Sequence, residues 1–160
     1  MTQGNILREY SDSERIHVPG ATLSITADSE MTDGEYLELD MLIPPMFEND
    51  LHTHDPSKVF HMIEGKIRLH MDGEDDILSP GMTGYVSRYA IHGLMNAGNK
   101  SSRVIAVMTP GGAEGVFRDV GHPSEDRSLP EPIESTRVML QSVFATAEKD
   151  GFEFLGPLPK

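Results

Sequence analysis

Across residues 21–109, short stretches of alternating apolar and polar residues are cut at brief intervals by Gly, Pro, Asp and Asn. A side chain on one face at every second position, interrupted by turn formers, is the rhythm of short antiparallel strands in a sandwich or barrel. Residues 22–26 and 35–43 alternate, the second run entered through the Asp33-Gly34 turn. Residues 59–63 and 67–71 follow as an expected pair joined around Glu64-Gly65. In the second of these, Ile67, Leu69 and Met71 share one face and Arg68 and His70 the other. Asp72-Gly73 is a strong hairpin signal. Strands are then expected at 77–78, 83–87, 91–95 and 103–108, the last a continuous apolar run suited to burial on both faces.

Beyond the Thr109-Pro-Gly-Gly stop the pattern changes. Residues 121–132 are rich in Pro, Ser and charge and read as a loop. Residues 134–149 carry Leu140, Val143, Phe144 and Ala147 at the spacing of an amphipathic helix that packs onto the strands, with Gly151 as its stop. A chain of 160 residues fits one domain: a barrel core over about 20–118, and a C-terminal loop and helix over 119–160. With no cysteine, a disulfide framework, a thiolate metal site and a cysteine nucleophile are all excluded. The net charge of −13 and the lack of a basic run argue against nucleic acid and anionic membranes as partners. The first residues show neither a basic start nor an apolar run, so a cytoplasmic protein is the expectation.

Chemistry concentrates at histidine. In His52-Thr53-His54 an extended backbone sends both imidazoles out of the same face, where they can share one coordination sphere. His92 lies on a later alternating stretch, and in a barrel the three rings can converge inside. His61 falls on the opposite face from Lys58, Phe60 and Met62 and is not expected as a ligand. His17, His70 and His122 read as solvated surface histidines. An apolar wall is expected from Met46, Phe47, Phe60, Met62, Leu94, Met95 and Met108. Tyr36, Tyr85 and Tyr89 are candidate hydroxyl donors to a substrate.

These residues carry a family resemblance. The run His52-Thr-His54, Lys58-Val-Phe60-His-Met62-Ile-Glu-Gly65 resembles the first cupin motif, and Gly81, Ser87, His92 and Asn96 the second. More narrowly, the chain resembles the single-domain cupins of the quercetin 2,3-dioxygenase-like group, through residues 109–117 and the closing Gly151-Phe-Glu-Phe-Leu-Gly-Pro-Leu-Pro159. The resemblance implies an all-β cupin (a double-stranded β-helix, or jelly-roll barrel) with a C-terminal α-helix. It also implies a divalent metal (Fe, Mn, Ni, Cu or Zn) on His52, His54 and His92, and a homodimer, which outward-facing Val59 and Ile63 would suit.

Three positions depart from the motifs. Met46 stands where the first motif opens on Gly, and Ser87 and Tyr89 stand where the second has Pro and Gly. Lys58 occupies the position of the usual glutamate ligand. Four arrangements follow: the metal on three histidines with Lys58 swung clear; Glu48 or Asp50 substituting for the glutamate; no metal, with Lys58 as general base or anion anchor; or neutral Lys58 as a ligand. The candidate catalytic residues are therefore Lys58 and His92, with Phe47, Phe60, Met62, Tyr85 and Leu94 as substrate pocket. The expected function is a cupin enzyme acting on a small apolar or aromatic oxygenated molecule, dioxygenase-like by resemblance. A non-redox isomerase, cyclase, decarboxylase or lyase, and a non-catalytic binding module, are the alternatives.

Overall fold

The computed structural model describes residues 4–129 and 137–160, and twelve strands, three α-helices and one short 3-10 turn (Tyr10–Asp12) are found among them. Strands β1 (Glu14–Val18), β2 (Ala21–Ala27), β3 (Leu37–Ile43), β5 (Ser57–Glu64), β8 (Thr83–Val86), β10 (Ser102–Thr109) and β11 (His122–Pro123) form one sheet. Its order is β11-β1-β2-β3-β10-β5-β8. Strands β4 (Leu51–Thr53), β6 (Ile67–Met71), β7 (Glu74–Leu78), β9 (His92–Asn96) and β12 (Glu153–Gly156) form the second, in the order β12-β4-β9-β6-β7. The two sheets face each other across one core, in which Leu23, Leu39, Phe60, Leu69, Val104 and Met108 are almost fully buried. This is the jelly-roll barrel of the cupin fold.

The alternation in the sequence becomes the inside and outside of the barrel. On β5, Ser57 and Lys58 are buried and then only Phe60 and Met62, while Val59, His61 and Ile63 turn outward. The Asp72-Gly73 hairpin forms as expected, with both residues at positive φ between paired Met71 and Glu74. Two expectations fail. Strands β5 and β6 are not a hairpin: Gly65 (φ 81°) turns the chain from one sheet into the other, and a Cβ there would collide with Ser102. Strand β10 is not equally buried on its two faces, since Ile105 and Val107 stay partly exposed while Val104, Ala106 and Met108 are buried.

Strands β1, β11 and β12, and helices α1 (Ser29–Thr32) and α2 (Glu114–Val120), add to the expected elements. Helix α3 (Arg137–Lys149) matches the amphipathic stripe, with Ala147 buried and Val143 and Phe144 half-buried. Residues 134–136, where that helix was also expected, and the Leu140 side chain lie outside the described residues. Helix α3 ends in a Schellman turn: Gly151 N–H donates to Glu148 O, Phe152 N–H donates to Ala147 O, and Gly151 takes φ 90°. No helix among the described residues is long and apolar enough to cross a membrane.

Candidate metal centre

Strand β4 pairs with β9 so that His52 stands directly opposite His92. His54, two residues on, leaves the same face, and the three rings converge with centroids 4.3–5.6 Å apart. One ring nitrogen from each lies within 4.8 Å of the other two. Backbone carbonyls decide which nitrogen that is. The Nδ1–H of His52 donates to Asp50 O at 2.8 Å, that of His54 to Pro56 O at 2.8 Å and that of His92 to Ala90 O at 2.9 Å. Each such bond fixes the tautomer and leaves the Nε2 lone pair free, the way metal-binding imidazoles are oriented. The Nε2 atoms of His54 and His92 are buried and find no hydrogen-bond partner among the described residues. Buried acceptors left unpaired cost about 1–3 kcal/mol each. A divalent ion fits this donor set and would satisfy all three.

The surroundings keep these imidazoles neutral. Burial first, and the Lys58 ammonium second, push His52 and His54 down to about 3. The same two causes, in the same order, push His92 lower still. Lys58 projects from the opposite sheet, flanked across β5 by Val86 and Met108, and its ammonium lies 5.8 Å from the Phe60 ring centre. Burial pushes it down to about 8. No carboxylate joins the three histidines among the described residues. Glu48 is exposed and bridges to Met95, and the Asp50 side chain faces a cavity beside α3, its carboxyl raised by burial and by Glu48. Neither takes the place of the missing glutamate.

The structure gathers part of the expected pocket and disperses the rest. Phe60 and Leu94 are buried one alternation beyond Lys58 and His92 and form the floor beneath them. Met62 lies four residues along β5 from Lys58, about 13 Å at strand spacing, and belongs to the deeper core. Phe47 corrects an expectation: its carbonyl accepts from Asn96 N–H and its ring lies over Gly20, at the end of the barrel remote from the histidines. Tyr85 corrects another, because alternation on β8 turns it outward and leaves it 61% exposed. Met46 and Tyr89 are exposed as well, and Tyr36 sits at the surface. His61 faces out, as expected, against Thr83. His70 is not a surface histidine: it is buried, its Nδ1 2.7 Å from Asp75. His17 is half-buried beside Ser128 O, and His122 is exposed.

Sequence reasoning missed the aromatic wall. The ring of Phe152 stands 4.8 Å from His54 and stacks on His52 at 6.3 Å with 13° between planes. Phe154 lies 5.8 Å from His52, and Phe117 closes on Phe152 at 6.3 Å. Residues 151–159 carried the family resemblance, yet the pairing of Glu153, Phe154 and Gly156 with β4 spans 100–105 residues of chain and leaves no local signal.

Residues 39–108 match the cupin domain family. The quercetin 2,3-dioxygenase of Bacillus subtilis (strain 168) is 24% identical over 123 residues, which cover 76% of this chain and 36% of that protein. The chain thus spans about a third of the length of that curated relative. An RmlC-like cupin from Shewanella frigidimarina superposes with a TM-score of 0.60 at 19% identity, covering 72% of this chain and 99% of that one. The polyketide cyclase RemF from Streptomyces resistomycificus superposes with a TM-score of 0.57 at 17% identity, covering 81% and 90%. The solved structures speak for the fold.

Proposed function

We propose that this chain, which carries a cupin domain and resembles the quercetin 2,3-dioxygenases, holds a divalent metal ion on His52, His54 and His92 and acts on a small aromatic oxygenated molecule in the lumen. The observation that carries the reading is the aim of the three imidazoles, each turned by an Nδ1–H bond to a backbone carbonyl so that the free nitrogens meet. A bound ion supplies Lewis acidity towards a substrate oxygen and, if redox-active, dioxygenase-like chemistry with O₂.

The residues say more about the substrate. Three neutral imidazoles and a lysine give the pocket no negative charge of its own. An anionic oxygen such as a phenolate or enolate supplies the charge that a glutamate ligand would have supplied. Phe60 and Leu94 offer an apolar floor, and Phe152 a ring face, to the body of that molecule. Pairing of two chains through the outer face of β5 and β8, where Ile63 and Tyr85 are exposed, belongs to the same proposal and is tested by sedimentation.

Lys58 favours a second reading. A buried amine pushed down to about 8 exchanges its proton close to neutral pH, as a general base or acid does. Isomerisation, cyclisation, decarboxylation or lyase chemistry then needs no O₂.

Elemental analysis of untagged protein, followed by O₂ uptake with flavonols and catechols, tests these readings. About one equivalent of Fe, Mn, Ni or Cu with O₂ consumption supports oxygenation. Zinc, or turnover under strict anaerobiosis, moves the assignment to proton transfer. Protein that neither holds nor takes up an ion, and turns nothing over, is a non-catalytic binding module.

A further inference from the structure

The three imidazoles are sealed. The Nε2 atoms of His54 and His92 have no contact with solvent, and the element that closes over them is the C-terminal segment. The Schellman turn that ends α3 directs Phe152 onto Ala147 and into the histidine cluster, where it is 7% exposed. From there Glu153, Phe154 and Gly156 pair with Thr53, His52 and Leu51, with an irregularity between Phe154 and Gly156. Glycines at positive φ bound this strap, Gly151 at 90° and Gly156 at 107°, and a Cβ at either would meet open space. A cavity of about 400 Å³ lies alongside, lined by Phe154 and Gly156 of the strap, Pro157 just beyond it, and Phe144 and Glu148 of α3. A short edge strand, irregular in register and flanked by a cavity, belongs to the least stable part of a fold.

We propose that Phe152, carried on the strap between Gly151 and Gly156, is the gate of the histidine cluster, and that its ring leaves before an ion or a substrate reaches the Nε2 atoms. The inference rests on the metal-centre reading above and deepens it. The space Phe152 vacates is ring-shaped and bounded by His52, His54 and Phe117, which matches a planar arene whose oxygen substituent points at the imidazoles.

Metal-free protein treated with diethyl pyrocarbonate, then digested and mapped by mass, reads the gate directly. In the wild type the exposed His61 and His122 react and His54 and His92 lag behind them. Phe152→Ala brings His54 and His92 up by about tenfold or more, as loss of a local barrier requires; equal rates in the two proteins overturn the gate. A second variant works in the opposite sense and does not remove the ring. The chain has no cysteine, so Thr53→Cys with Glu153→Cys, directly opposite each other, clamps the strap when oxidised. The clamped form takes up Co²⁺ about tenfold more slowly than the same protein after reduction; equal uptake overturns the proposal. Failure of the metal reading is distinct: the histidines become reactive in Phe152→Ala, yet no Co²⁺ binds to any form at equilibrium.

Discussion

Lys58 adds its charge to the effect of burial on the three histidines and carries a cost of its own. Its folded value of about 8 lies below the ordinary 10.5, so holding the ammonium in the lumen costs about 3 kcal/mol at neutral pH. Between pH 8 and 10.5 the unfolded chain binds that proton and the folded chain releases it. Raising the pH through this window therefore stabilises the metal-free protein. Lys58→Met raises its unfolding free energy at pH 7 by about 2–3 kcal/mol and flattens that alkaline rise, as urea titrations at pH 7, 8, 9 and 10 will register. His92→Ala lowers Co²⁺ affinity by about 100-fold or more by calorimetry, while His61→Ala leaves it unchanged. Two motif departures show their physics at this scale as well. Met46 (φ 62°) and Tyr89 (φ 61°) hold the left-handed backbone that the glycines of the motifs adopt freely. A side chain there costs about 1–2 kcal/mol, so Met46→Gly stabilises the protein by about 1 kcal/mol, measured by chemical denaturation. The histidines were readable because an HxH pair needs only an extended backbone to share a face. The direction of Tyr85 and the place of Phe47 were not, because they depend on which strands become neighbours.

Elements divide along the same line. The positions of β2, β3, β5, β6, β8, β9 and β10 followed from alternation and turn residues, and β6 began and ended where its pattern did, whereas β7 starts three residues earlier than expected. The partnership of β5 and β6 did not follow, because Glu64-Gly65 looks the same whether it makes a hairpin or carries the chain to the other sheet. Strand β1 was missed because Glu14–Val18 pairs with the well-patterned β2 while showing little pattern itself. Strand β11 is two residues long and β12 pairs with a strand 100 or more residues earlier, so neither has a local signature. At the end of the barrel away from the histidines one side chain ties two segments of backbone together. Asn96, fully buried, shares the two hydrogens of Nδ2 among the carbonyls of Ile43, Pro44 and Lys100, at 2.9–3.0 Å, and accepts from Gly98 N–H through Oδ1. Asn96→Leu strands those groups and destabilises the fold by about 3 kcal/mol in denaturant titration. Co²⁺ affinity stays within about twofold, since the centre lies at the other end of β9.

For the molecule as a whole, the neutral histidine cluster sets the acid limit. His52 and His54 protonate near 3 in the folded barrel and near 6.5 in the unfolded chain. Below pH 6.5 the unfolded state binds more protons, so stability falls as pH falls from 6.5 towards 3, by about 2 kcal/mol for each of the two at pH 5. Metal-free protein shows this loss between pH 7 and 5, and His52→Gln with His54→Gln removes most of the slope; an unchanged slope means that the cluster is solvated and charged. The strap carries a consequence of another kind. Strand β4 is three residues long and its outer hydrogen-bonding groups are satisfied by β12 alone. Whenever the strap lifts to admit a ligand, the edge of the five-stranded sheet passes from the short, irregular β12 to β4, whose bared groups are a template for a strand from another molecule. Access to the centre and resistance to aggregation are thus opposed in one segment, and a variant that loads faster will also clump sooner on storage.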